Sequence, residues 1–217
     1  MSQLSLESLT QQLELCDQLW VGRSHMFEPQ DLPGRYGRVI HALDRVLQAV
    51  GCESVVAGGW AVWRHGFLGR MTQDIDIVLA ADRVEEFLRV AAVSGFQILQ
   101  RPAGRWPKLV HKDTDIQVDI LPENGRPGTP DRLAPTTIPH PRRLGASGAT
   151  LRYVPLTALV ELKLAAGRLR DEYDVLELIR SNEDQTGQFR SHLAQVHQDY
   201  VLAFDRLIQR AKTQEDG

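Results

Sequence analysis

Residues Gln73-Asp74-Ile75-Asp76-Ile77-Val78-Leu79 alternate carboxylates with branched apolar side chains over the length of one strand. Successive side chains of a strand point to opposite faces. Ile75, Ile77 and Leu79 are therefore expected to enter a core, while Asp74 and Asp76 emerge together on the other face, about 7 Å apart by the rise per residue. Two carboxylates that close repel each other, and a cation usually compensates. Oxygen donors this hard suit magnesium or manganese. The strand is expected to begin at Met71, which puts Thr72 on the face of the two aspartates.

Asp115-Ile-Gln-Val-Asp-Ile-Leu121 repeats the alternation, with Ile116, Val118 and Ile120 toward the core and Asp115, Gln117 and Asp119 away from it. If the two strands are neighbours, Asp119 joins Asp74 and Asp76. Three carboxylates can hold two metal ions, which activate a hydroxyl and stabilise a leaving phosphate in an in-line displacement. Taken alone, Asp-x-Asp on a half-exposed strand is also ordinary solvated charge. The pair Gly58-Gly59 adds weight, because it sits where an apolar run from Glu53 ends and a helix over Trp60–Phe67 is expected. Glycines let backbone amides approach a ligand closely, and helix N-termini attract anions.

Working outward, Tyr36, Val39, Ile40, Leu43, Val46, Leu47 and Val50 recur at three and four and predict an amphipathic helix stopped by Gly51. Residues 4–20 predict another helix, and 21–35 a loop. A helix is expected from Asp82, as its N-cap, to Gly95. Strands are expected over 96–99, 108–111 and 151–154. Residues 122–148 carry six prolines and read as a long irregular segment, of the kind that is often functional. Helices are expected over 156–168, 171–180 and 187–212. The expected organisation is an N-terminal helix and loop (1–35), a core (36–154) and a helical region (155–217).

The 217 residues, 42% hydrophobic and 24% charged, suffice for a buried core. A net charge of −3 does not favour nucleic acid as a partner, although Arg142, Arg143 and Arg152 form a local basic cluster. Cys16 and Cys52 make no Cys-x-x-Cys pair, and neither a leader sequence nor an apolar run of membrane-spanning length is visible. The expected setting is cytoplasmic, without a membrane partner.

Gly58-Gly59-Trp60-Ala61, Gly69-Arg70-Met71-Thr72-Gln73-Asp74-Ile75-Asp76 and the later Asp119 resemble the pattern of the nucleotidyltransferase superfamily of polymerase-beta-like minimal transferases. The wording is similar to antibiotic nucleotidyltransferases and to the toxins of AbiE-type systems. The resemblance covers residues 50–125, and Lys163 with Arg168, Arg170, Asp171 and Asp174 resembles a helix of toxin-like members. It implies an α+β fold with a central mixed β-sheet flanked by helices and a helical C-terminal part. It implies a nucleoside triphosphate held by Gly58 and Gly59, and Mg2+ or Mn2+ held by Asp74, Asp76 and Asp119. Asp119 would also help deprotonate an acceptor hydroxyl, and Lys163 would neutralise phosphate charge. Arg70 could reach the triphosphate or pair with a carboxylate, and Thr72 could touch metal-bound water or merely cover the strand. The reaction implied is transfer of a nucleoside monophosphate to an acceptor with release of pyrophosphate. Two alternatives stay open: a toxin acting on tRNA or protein and silenced by an antitoxin partner, and a silent nucleotide-binding protein of the same fold. His65, His111 and Trp60 read as structural.

Overall fold

The computed structural model describes residues 28–213 apart from 33, 101–103 and 130, together with residues 6, 9, 10 and 13. Of the helix expected over 4–20 only residues 6, 9, 10 and 13 are described, all helical, and most of the loop over 21–35 falls outside the described residues.

The described fold is α+β. Helix α1 (Gly34–Val50) leads into β1 (Ser54–Ala57), α2 (Gly58–Arg64) and β2 (Ile75–Leu79). Helix α3 (Val84–Val93), β3 (Phe96–Ile98), β4 (Lys108–His111) and β5 (Gln117–Pro122) follow. A small hairpin, β6 (Gly128–Thr129) with β7 (Arg132–Leu133), precedes β8 (Arg152–Tyr153). Four helices close the chain: α4 (Leu156–Ala166), α5 (Leu169–Ser181), α6 (Thr186–Val196) and α7 (Gln198–Thr213). The main sheet has the order β3-β4-β5-β2-β1-β8 and is mixed. Strands β2 and β5 are parallel, as are β1 and β8, and the other neighbours are antiparallel.

The alternation sorts the two faces as the sequence implies. Ile75, Ile77, Leu79, Val118 and Ile120 enter one apolar cluster with α1 and α3. Val78, on the opposite face, packs under the C-terminal helices with Val55, Leu159 and Val175. Asp76 shares that second face by strand parity, one pleat from Val78. The C-terminal helices thus cover the carboxylate-bearing side of the sheet.

Several elements differ from expectation. β2 begins at Ile75, so Thr72 and Asp74 precede the strand. β5 begins at Gln117, and Asp115 occupies a turn with φ 54°. Asp82 lies in a 3-10 turn, Ala81–Arg83, and Arg83 takes the N-cap position of α3. The helix expected over 187–212 is broken at His197, whose backbone is extended (φ −164°, ψ 137°). The 122–148 segment contains the β6–β7 hairpin and a 3-10 turn, Pro141–Leu144, and buries Ala134, Ile138 and Leu144.

One buried carboxylate pins α1 to the far edge of the sheet. Asp44 Oδ1 accepts from the Leu151 amide at 2.8 Å, and Oδ2 accepts from Gln30 Nε2 at 2.8 Å. Asp44→Ala orphans the Leu151 amide and should cost about 1–3 kcal/mol. A urea titration should show a lower midpoint, and an unchanged midpoint would contradict the role.

Candidate active site

The parallel register of β2 and β5 sets Asp76 directly opposite Asp119, and the antiparallel register of β1 and β2 sets Ala57 opposite Asp76. Paired strands stand roughly 4.8 Å apart, so the two aspartates are immediate neighbours. Asp74 stands just before β2, and its Oδ1 accepts from Thr72 Oγ1 at 2.8 Å. Thr72 therefore acts as a hydrogen-bond donor to Asp74 from the preceding loop.

The glycine pair has a packing reason that its sequence alone does not disclose. Gly58 has φ 62°, and a Cβ placed there would fall 1.7 Å from Asp76 Oδ2. A Cβ on Gly59 would fall 2.6 Å from Thr72 Oγ1. Both glycines are thus needed for the chain to turn against Asp76 and Thr72.

Electrostatics in this corner are unfavourable to a full set of negative charges. Burial pushes the Asp76 carboxyl up to about 7, and the charges of Asp74 and Asp119 push the same way, against Lys163 and Arg168. Burial also raises Asp119, opposed by Lys108 and by the 2.7 Å hydrogen bond from Gln117 Nε2. Lys108 lies opposite Asp119 in the β4–β5 register, and its Nζ forms an ion pair with Asp119 Oδ2. The sequence reading missed this lysine.

Arg70 and Lys163 are both paired with protein carboxylates. Arg70 Nε pairs with Asp174 Oδ1 at 2.8 Å. Lys163 is buried, and its Nζ donates to Asp174 Oδ2 at 2.6 Å and to Asp171 Oδ1 at 3.2 Å. Asp171 also accepts from Arg168 Nε at 2.6 Å and from the Arg168 backbone amide at 3.3 Å. Asp171 is the third residue of α5, and its side chain reaches back to the helix start at Arg168. Of Lys163 and Arg168, the more exposed is Arg168, whose side chain is 66% accessible.

His65 and His111 are each held by a protein oxygen. His65 Nε2 is 2.8 Å from the Val154 carbonyl, and His111 Nδ1 is 3.0 Å from Thr114 Oγ1. Trp60 is buried edge-on to Tyr36 at 4.7 Å, which suits core packing and not base stacking. Arg142 pairs with Glu53.

Hard oxygen donors fit a divalent cation in kind. As the side chains stand, no group of three His, Cys, Asp or Glu among the described residues is arranged to hold one. Asp119 is turned to Lys108 and Gln117, and Asp74 to Thr72. A cation held by Asp74 and Asp119 would need both side chains to turn, with the register that brings Asp76 beside Asp119 unchanged.

Solved structures that resemble the chain include two of ANT(2″)-Ia. The crystal structure of ANT(2″)-Ia in complex with adenylyl-2″-tobramycin is 15% identical at a TM-score of 0.42, over 80% of this chain and 97% of that one. The solution structure of the antibiotic-resistance factor ANT(2″)-Ia is 15% identical at a TM-score of 0.41, over 82% of this chain and 94% of that one. No protein-family model and no curated protein matches the sequence.

Gly58→Ala forces a left-handed backbone on a residue with a Cβ and drives that carbon into Asp76. The left-handed conformation alone costs about 1–2 kcal/mol. Thermal melts should show a loss of several degrees, and an unchanged melt would mean the corner is not packed as described. Asp171 titrates in the opposite direction to Asp76. Burial would raise it, but the hydrogen bond from Arg168 and the charges of Lys163 and Arg168 outweigh burial and hold it below the usual carboxylate range. Its ionised form stabilises the fold above the ordinary carboxylate pKa, and the contribution is lost as pH falls through the lowered value. The melting-temperature gap between wild type and Asp171→Asn should therefore narrow below roughly pH 4. A gap independent of pH would contradict the ion-pair assignment.

Proposed function

We propose that the chain is a metal-dependent nucleotidyltransferase that moves a nucleoside monophosphate from a nucleoside triphosphate to a hydroxyl acceptor and releases pyrophosphate. The observation that carries the reading is the pairing of Asp76 with Asp119 beside the Gly58 turn. Asp74, Asp76 and Asp119 would hold Mg2+ or Mn2+. The bound metal would supply charge neutralisation at the phosphates and lower the cost of ionising the acceptor hydroxyl.

The chain's own residues account for the rest. The Gly58–Gly59 turn, whose Cβ side is filled by Asp76 and Thr72, would offer the backbone amides at the start of α2 to a phosphate chain. The acceptor oxygen would form its bond to the α-phosphorus as the bond to pyrophosphate breaks, and its proton would pass to Asp119. Thr72 holds Asp74 in orientation. Lys163 would act from below as a fixed positive charge, because it is buried with Asp171 and Asp174. Arg70 would position the loop before β2 through Asp174. A reducing cytoplasmic setting belongs to the same reading and suits Cys52, a buried free thiol. Among the described residues, no helix is long and apolar enough to cross a membrane.

One observation favours a second reading, a nucleotide-binding protein of this fold without catalysis: Asp119 is already neutralised by Lys108.

Calorimetry with the four nucleoside triphosphates, with and without Mg2+, separates these readings when joined to an assay for released pyrophosphate. An active enzyme binds at least one triphosphate in a metal-dependent way and releases pyrophosphate once an acceptor is supplied. Metal-dependent binding without release under any acceptor tried favours the silent protein, and absence of binding contradicts both. Asp76→Asn should abolish the metal-dependent part. The same variant relieves a buried like-charge contact and should raise the melting temperature of the metal-free protein by roughly 2–4 °C. A variant that keeps wild-type metal-dependent binding would remove Asp76 from the site.

A further inference from the structure

Arginines from two separate elements converge on one cavity of about 270 Å3. Arg132 comes from β7, and Arg206 and Arg210 come from successive turns of α7. The apolar part of the wall is Leu164, Ala203 and Leu207, and Glu172 is its one carboxylate, 3.5 Å from Arg210. Arg132 and Arg206 make no ion pair among the described residues. Three guanidiniums against one carboxylate give a local excess of positive charge in a chain whose net charge is −3. That concentration against the overall balance is a field aimed at an anion.

The planar fork of a guanidinium matches the oxygens of phosphate, and several converging on one recess favour it over a spherical anion. An adjoining cavity of about 450 Å3 shares Glu172, Leu207 and Arg210 and adds Arg170 and Tyr173. Tyr173 is 53% exposed, and its ring stands edge-on to Phe67 at 5.7 Å. An exposed, braced aromatic face beside arginines suits stacking of a flat organic body. The recess borders the corner after α4, since Gly167 lines it and Arg168 follows.

We propose that this groove binds a phosphate ester, with its phosphate among Arg132, Arg206 and Arg210 and its organic part along Tyr173. The groove shares no lining residue with the carboxylate corner and does not depend on the catalytic reading.

The test is calorimetric titration of the full chain, without divalent metal and at about 150 mM salt. The probes are inorganic phosphate, a nucleoside 5′-monophosphate and a 5′-phosphorylated hexanucleotide. At least one ester should bind with Kd below about 1 mM and more tightly than inorganic phosphate. Binding of the monophosphate identifies a small ester as sufficient, and binding of the hexanucleotide alone identifies a nucleic-acid end; both support the site. The double variant Arg132→Ala/Arg206→Ala, at exposed positions, should weaken binding about tenfold or more. Asp76→Asn and the control Arg142→Ala/Arg143→Ala should leave it unchanged. Absence of ester binding, an equal loss in the Arg142/Arg143 control, or loss in Asp76→Asn would overturn the proposal.

Discussion

Two carboxylates stand side by side because β2 and β5 are parallel and in register at Asp76 and Asp119. Backbone hydrogen bonds fix this contact, so side-chain motion alone cannot separate the strands that carry it. The surroundings answer the repulsion. Lys108 is paired to Asp119 across β4 and β5, while Lys163 and Arg168 lower the cost of charge at Asp76 from the helical side. The turn at Gly58 closes the third side so tightly that a methyl group has no place.

The C-terminal helices serve this corner through a chain of ion pairs. Arg70, Asp174, Lys163, Asp171 and Arg168 are linked in sequence from the loop before β2 to the start of α5. Lys163, Asp171 and Asp174 are buried, so each charge is costly without its partners. Buried pairs of this kind contribute little net stability over apolar packing, but they tolerate only one arrangement. They fix the α4–α5 corner against the carboxylate-bearing face and leave Arg168 at the surface.

Much of this was legible in the sequence because strand parity is a local property. Ile75, Ile77, Val118 and Ile120 reached the predicted core, and Asp76 and Asp119 took the opposite parity on their strands. Strand extents were less legible. Thr72 and Asp115 fit the alternation in letters, but the chain before β2 is a loop, and Asp115 turns through a left-handed conformation. Lys108 was invisible because the cross-strand register of β4 and β5 is a long-range property. The pairing of Lys163 with Asp171 was not legible either, because it depends on the turn at Gly167 that brings Asp171 back over the lysine. The break at His197 carries neither glycine nor proline, so periodicity runs through it.

The most direct test of the central claim is anomalous scattering from crystals soaked with Mn2+ and a non-hydrolysable nucleoside triphosphate. The account predicts manganese among Asp74, Asp76 and Asp119, with Asp119 released from Lys108 and the phosphates beside Gly58 and Gly59. Manganese bound elsewhere, or a triphosphate seated away from the Gly58 turn, would contradict it.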